Sequence, residues 1–128
     1  MIYLDTSVAL AHLLGEARRP PSSLWKEQIV SSRLLEYELR VRLHAYGMIK
    51  SHSEAVANLL RRIHLLEMVP IVLSRAFDPF PIPLRTLDAL HLASAEFARR
   101  RGKAVAVASY DGNIVAAAVA MGFPLADV

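Results

Sequence analysis

The stretch Leu84-Arg85-Thr86-Leu87-Asp88-Ala89-Leu90-His91-Leu92-Ala93-Ser94-Ala95 sets one carboxylate among Leu, Ala and small residues. Pro81 and Pro83 end the irregular segment before it, Thr86 is a candidate N-cap, and helix formers continue to Arg101 before Gly102 supplies the stop. Asp88 therefore belongs to a first helical turn, where the positive end of the macrodipole stabilises an anion by roughly 0.3–1 kcal/mol. Taken alone, it reads as an acid placed for helix stability. Three further acids change that weighting.

Outward from this segment, strand-like and helix-like runs alternate. Met1 to Leu4 is a short apolar run ending in Asp5-Thr6-Ser7, as a buried strand delivering polar groups at its carboxyl end. Val8 to Leu14 follows as a brief helix, with Thr6 or Ser7 as N-cap and Gly15 as stop. Glu16 to Gln28 reads as a loop carrying Trp25, a core anchor. Ile29 to Ser31 makes a second strand, and Ser32 caps a helix from Arg33 to Tyr46 whose Leu35, Leu39, Leu43 and Tyr46 share a face. Glu36 and Glu38 lie about 200° apart on that wheel, so at most one of them faces a site reached from the core side.

Ser51 and Glu54 have capping-box spacing and predict a helix to about Leu66, with Val56, Leu59, Leu60 and Ile63 as its stripe. Met68 to Val72 is the third strand candidate, at an edge because of Pro70, and Leu73 to Asp78 forms a helical turn. Ala104 to Ala108 is the fourth strand, ending in Ser109-Tyr110-Asp111, where Asp111 also suits an N-cap. A small-residue helix from Ile114 to Met121 and a last short strand at Phe123 to Ala126 complete the chain.

The 128 residues are expected to form one domain with no internal repeat. A hydrophobic share of 54% and a mean hydropathy of +0.31 leave apolar surface to spare, so a subunit or partner interface is expected. The formal charge of +3 mildly favours anionic partners. With no cysteine, disulfides, thiolate zinc sites and cysteine nucleophiles are excluded. The amino-terminal apolar run meets Asp5 without a basic flank, and the longest apolar run, Ile114 to Ala126, is too short to span a bilayer. A cytoplasmic protein with no membrane contact is expected.

Strand followed by helix implies an α/β fold, three layers deep, with a mostly parallel central sheet of four to five strands. Right-handed crossovers bring the carboxyl ends of the strands to one edge. Asp5 and Asp111 end strands, while Asp88 and one of Glu36 or Glu38 begin helices, so all can point there. Carboxylates gathered without cationic neighbours repel one another. A hard divalent cation, Mg²⁺ or Mn²⁺, resolves this and suits phosphodiester hydrolysis.

The residues resemble the PIN domain and, within it, the VapC-like toxins of VapBC toxin–antitoxin pairs. The resemblance covers nearly the whole chain and rests on Ile2-Tyr3-Leu4-Asp5-Thr6-Ser7, Ser32 to Arg40, Arg85 to Ala93, and Ser109-Tyr110-Asp111. It implies that Asp5, Glu38, Asp88 and Asp111 form an acidic metal site, leaving Glu36 as a surface acid, and that Thr6 or Ser7 orients the first ligand or a water. It further implies a ribonuclease needing Mg²⁺ or Mn²⁺, a sheet in the order 3-2-1-4-5, homodimerisation, and inhibition by a cognate antitoxin protein. His91, three residues after Asp88 on the same face, is expected to pack under the site against backbone or a carboxylate. Arg85, one turn before Asp88, is placed to pair with a site carboxylate or contact RNA phosphate.

Two other phosphotransfer patterns fail on the residues. A haloacid dehalogenase needs an acid where Ser7 stands, and a receiver domain needs a lysine ending the strand that Lys103 instead precedes. The rival from another class is a catalytically silent PIN-like module that binds RNA or protein. Ionised carboxylates held together without a metal are costly, which argues against it.

Overall fold

A computed structural model describes residues 1–128. Four strands, β1 (Ile2–Leu4), β2 (Ile29–Ser32), β3 (Ile63–Leu66) and β4 (Ala106–Ala108), form one sheet in the order β3-β2-β1-β4. Every pairing is parallel: Tyr3 lies opposite Val30 on one side and Val107 on the other, and β3 pairs with β2 from Ile63↔Ile29 to Leu66↔Ser32. Phe123 to Ala126, expected as a fifth strand, contributes only a single parallel bridge, Val107↔Leu125, just beyond β4.

Six helices cover the sheet: α1 (Thr6–Leu14), α2 (Arg33–Ala45), α3 (Ser53–Leu60), α4 (Pro70–Phe77), α5 (Thr86–Arg100) and α6 (Gly112–Ala120). The period-two alternation of the strands divides the core between two faces. Leu4, Ile29 and Ala108 join Val8, Leu35, Leu39 and Leu59 of α1, α2 and α3. Tyr3, Val30 and Val107 join Leu92, Ala95, Ile114 and Ala117 of α5 and α6. Small residues of both helices, Ala95, Ala98, Ala117 and Ala118, are buried in this cluster. The result is a three-layer α/β/α sandwich, and no helix is long and apolar enough to cross a membrane.

Several local expectations are corrected. The helix expected to run to Leu66 stops at Leu60, and Ile63–Leu66 is β3, because pairing with β2 across the sheet outweighs a helical stripe that ends in a short apolar run. Met68 to Val72 is not a strand; Pro70 occupies the first turn of α4, where its missing N–H costs nothing. The Ser51–Glu54 capping box does not form: the Ser51 hydroxyl donates to the Met48 carbonyl and α3 begins at Ser53. Tyr46, expected on the buried face of α2, is 51% exposed just past the helix end. The cap before α5 is Arg85 rather than Thr86, and the cap before α1 is Asp5 rather than Thr6 or Ser7. Ser32 caps α2 as expected, accepting Leu34 N–H at 3.1 Å.

The face of α2 that carries Leu39 determines how the helix seats on the sheet. Leu39→Ala is expected to cost about 2–5 kcal/mol because Leu39 is fully buried, whereas Tyr46→Ala should change stability by no more than about 0.5 kcal/mol. Urea unfolding of the two variants checks both values.

Candidate active site

The strand order makes β1 the point from which the chain leaves toward β2 on one side and returns at β4 on the other. In open parallel sheets, ligands bind in the crevice at the carboxyl ends of such a pair. Asp5 follows β1 directly and Asp111 follows β4 by three residues. The first turn of α5 brings Asp88 to the same crevice and the second turn of α2 brings Glu38. All four carboxylates line one cleft of about 590 Å³, together with Thr6, Ser7, Arg85 and four residues to which the sequence assigned no role: Glu16, Arg42, Tyr110 and Leu10.

Each acid is held differently. Asp5, 4% exposed, caps α1 through Oδ2, which accepts from Ser7 N–H at 3.3 Å, Ser7 Oγ–H at 2.6 Å and Ser109 Oγ–H at 2.8 Å. Asp111 caps α6 through Oδ1, accepting Asn113 N–H at 2.9 Å and Ile114 N–H at 3.1 Å. Glu38 Oε1 accepts from the Thr6 hydroxyl at 2.7 Å and meets His91 Nε2 at 2.6 Å. In all three, hydrogen bonds engage one carboxylate oxygen and leave the other free. Thr6 and Ser7 thus hold two different acids, Glu38 and Asp5.

Asp88 is the exception. It is 9% exposed and its Oδ2 is buried with no hydrogen-bond partner. Arg85 approaches it only to 3.8 Å, from a side chain that is 81% exposed, so the acids are not without cationic neighbours but the nearest guanidinium does not neutralise them. Burial raises the Asp88 carboxyl above its ordinary value, and the negative charges of Asp111 and Asp5 push it the same way against Arg85 and His91.

Glu36 points elsewhere. It bridges Arg33 at 3.1 Å and Arg40 at 3.0 Å along the outer side of α2, and the hydrogen bonds from Arg40, aided by Arg33, hold its carboxyl below the usual glutamate range. His91, 2% exposed, lies beneath the cleft with Tyr3 on its other side. Beneath the cleft, Ser109 and Tyr3 are two further residues to which the sequence assigned no role. Ser109 repeats at the end of β4 what Ser7 does after β1: its oxygen accepts Asp111 N–H at 3.0 Å while its hydroxyl donates to Asp5. A search for hydroxyls flanking the strand-end acids would have found it.

A divalent cation fits this donor set. The available groups are hard oxygens, one of them a buried orphan, around a cleft wide enough for water. No three acidic or histidine side chains stand close enough to hold a metal ion by themselves, and Mg²⁺ typically takes one or two carboxylates and keeps its remaining waters.

The strained carboxyl has a measurable consequence for the metal-free protein. A raised folded-state pKa means that the native state keeps a proton on Asp88 where the unfolded chain has lost it, so stability falls as pH rises from the ordinary aspartate range through the raised value. In chelator, Asp88→Asn should therefore melt a few degrees above the wild type at pH 7, with the gap closing toward pH 4; ~1 kcal/mol corresponds to roughly 2–8 °C at this size. Melting curves across that pH range check it, and a lower melting temperature for Asp88→Asn at pH 7 contradicts it.

Comparison with known proteins agrees with the geometry. The PIN domain model matches residues 2–126. The chain is 31% identical to Ribonuclease VapC35 of Mycobacterium tuberculosis over 127 residues, covering 94% of this chain and 92% of that protein. It is 29% identical to Ribonuclease VapC47 of the same species over 130 residues, covering 96% and 93%. A solved chain described as a toxin–antitoxin complex from Klebsiella pneumoniae shares the fold at a TM-score of 0.63 over 91% of each chain, with 15% identity. An all-parallel sheet with acids at its β1/β4 crevice and full-length similarity to these ribonucleases lead to one assignment: the chain belongs to the PIN-domain family and is a homologue of the VapC ribonucleases.

Proposed function

We propose that this protein is a metal-dependent endoribonuclease that hydrolyses RNA phosphodiester bonds, and that it is the toxin of a type II toxin–antitoxin pair. The observation that carries the reading is the buried, unpartnered Oδ2 of Asp88 in a cleft where Asp5, Glu38 and Asp111 each keep one oxygen free. Asp5 and Asp88 are the deepest of the four and would hold Mg²⁺ or Mn²⁺ most directly, with Glu38 and Asp111 completing the acidic set directly or through water. When bound, the cation supplies Lewis acidity toward a phosphate oxygen and a water nucleophile at neutral pH.

The chain's own residues do the rest. Ser7 and Ser109 hold Oδ2 of Asp5 and leave Oδ1 without a hydrogen bond, and Thr6 holds Oε1 of Glu38 and leaves Oε2 without one. Arg42 and Arg85 line the mouth with exposed guanidinium groups, suited to hold the RNA backbone on either side of the scissile phosphate. An RNA substrate suits a cytoplasmic setting. Similarity to VapC ribonucleases and to a chain from a toxin–antitoxin complex supports a cognate antitoxin as partner. Exposed Ile71, Phe77 and Val119 supply apolar surface for that partner or for a homodimer.

The test is cleavage of a panel of structured cellular RNAs with Mg²⁺, with Mn²⁺ and with chelator. Cleavage is expected only with metal. Either metal should also raise the melting temperature, since a ligand that binds only the native state adds about 2.7 kcal/mol at a hundredfold excess over its Kd. Absence of both effects at millimolar metal would favour the catalytically silent module.

The two acids of α2 separate in the same assay. Glu38→Gln should lose roughly 10–100-fold or more in metal affinity or cleavage. Glu36→Gln should cleave as the wild type does, since it gives up only surface ion pairs worth about 0–1 kcal/mol each. Equal losses in both variants would contradict the assignment of Glu38.

A further inference from the structure

His91 is a polar residue where packing alone asks for an apolar one. It is 2% exposed on the face of α5 that also carries Leu92 and Ala95 into the sheet. A leucine there would fill the space with no imidazole to desolvate, and a buried ring is tolerable only with both nitrogens satisfied. Both are. Nδ1 meets the Tyr3 hydroxyl at 2.8 Å, the two rings standing edge to face at 77°, and Nε2 meets Glu38 Oε1 at 2.6 Å.

The direction of these bonds follows from their far ends. The Tyr3 oxygen accepts Ser32 N–H at 3.2 Å and, as a phenol, has one proton of its own to give. That proton is available to Nδ1. The imidazole then carries its own proton on Nε2 and donates it to Glu38. The Thr6 hydroxyl donates to the same Oε1, so two donors from two elements fix one oxygen and leave Oε2 without a hydrogen bond on a residue that lines the cleft. Ser32 also caps α2, so the chain of bonds ties the start of that helix, through β1 and α5, to the carboxylate on its second turn. Glu38 would otherwise sample several rotamers of a long side chain.

We propose that Tyr3 and His91 are positioning residues: Tyr3 sets the Nε2–H tautomer of His91, and His91 aims the Glu38 carboxylate into the cleft for metal binding. This rests on the metal-dependent reading above. It parallels the general rule that losing a group hydrogen-bonded to a metal-binding side chain typically costs about 10–100-fold in metal affinity or activity.

The experiment is Mn²⁺ titration calorimetry on the full chain, with thermal melts confirming folding and ¹⁵N resonances of the His91 ring reporting its tautomer. His91→Leu should bind Mn²⁺ about 10–100-fold more weakly than wild type. His91→Gln, whose amide can donate to Oε1, should recover most of that loss. Tyr3→Phe keeps the ring and removes the hydroxyl; it should weaken binding and disturb the wild-type pattern of a protonated Nε2 and an accepting Nδ1. Folded His91→Leu with wild-type affinity overturns the inference, as does His91→Gln as weak as His91→Leu, or a wild-type ring protonated on Nδ1 alone. Should His91→Leu fail to fold, Tyr3→Phe decides: unchanged affinity and tautomer overturn the inference. Wild-type protein that takes up no Mn²⁺ overturns the metal-site reading itself, and the inference with it.

Discussion

β1 is hydrogen-bonded in parallel on both edges, to β2 and to β4, and whatever leaves its carboxyl end enters a crevice already walled by helices. Backbone pairing alone brings Asp5 beside Ser109 across 104 residues of sequence, because Leu4 lies opposite Ala108 and both chains emerge one step later. The helices follow from the same constraint. Parallel strands require crossovers, crossovers here are helices, and helices that return to a crevice present their first turns to it. Asp88 and Glu38 lie near the starts of such helices. The acidic cluster is therefore a product of sheet topology before it is a product of any side-chain interaction.

The electrostatic cost of that cluster is spread unequally. Asp5, Glu38 and Asp111 each have one oxygen solvated by protein donors, which offsets part of the repulsion they feel. Asp88 has no such donor on Oδ2 and carries the raised carboxyl. Elsewhere the fold treats buried charge conventionally. Glu96 of α5, as buried as Asp88, is bracketed by Arg75 at 2.7 Å and Arg100 at 2.9 Å. Two equally buried acids on one helix thus have opposite surroundings, one paired on both oxygens and one with a buried oxygen that has no partner.

Local chemistry made much of this legible in the sequence. The strand-end position of Asp5, the Gly15 stop, the Ser32 cap, the α5 segment and the apolar run of β4 all rest on signals within a few residues. β3 was hidden because four residues with only Ile63 fully buried look like the tail of an amphipathic helix until β2 is there to pair with them. α4 was hidden because Pro70 was weighed as a strand-edge residue when proline is equally at home in a first helical turn. The periodicity of α2 could not choose between Glu36 and Glu38, although Arg33 and Arg40, three and four residues from Glu36, already offered it ion pairs along the helix surface. Of the Tyr3–His91–Glu38 chain only His91 was signalled, by its spacing from Asp88; its partners lie 88 and 53 residues away and meet it only in three dimensions.

Asp5 and Asp111 serve as helix caps with one oxygen each, make no hydrogen bond with the second, and line the cleft. Asparagine is as good an N-cap as aspartate and keeps the one oxygen that a cap needs. At these two positions, then, a single-nucleotide path leads from acid to amide without loss of the cap. A lineage of this fold can thin its acidic set in one step while keeping its shape and its surface.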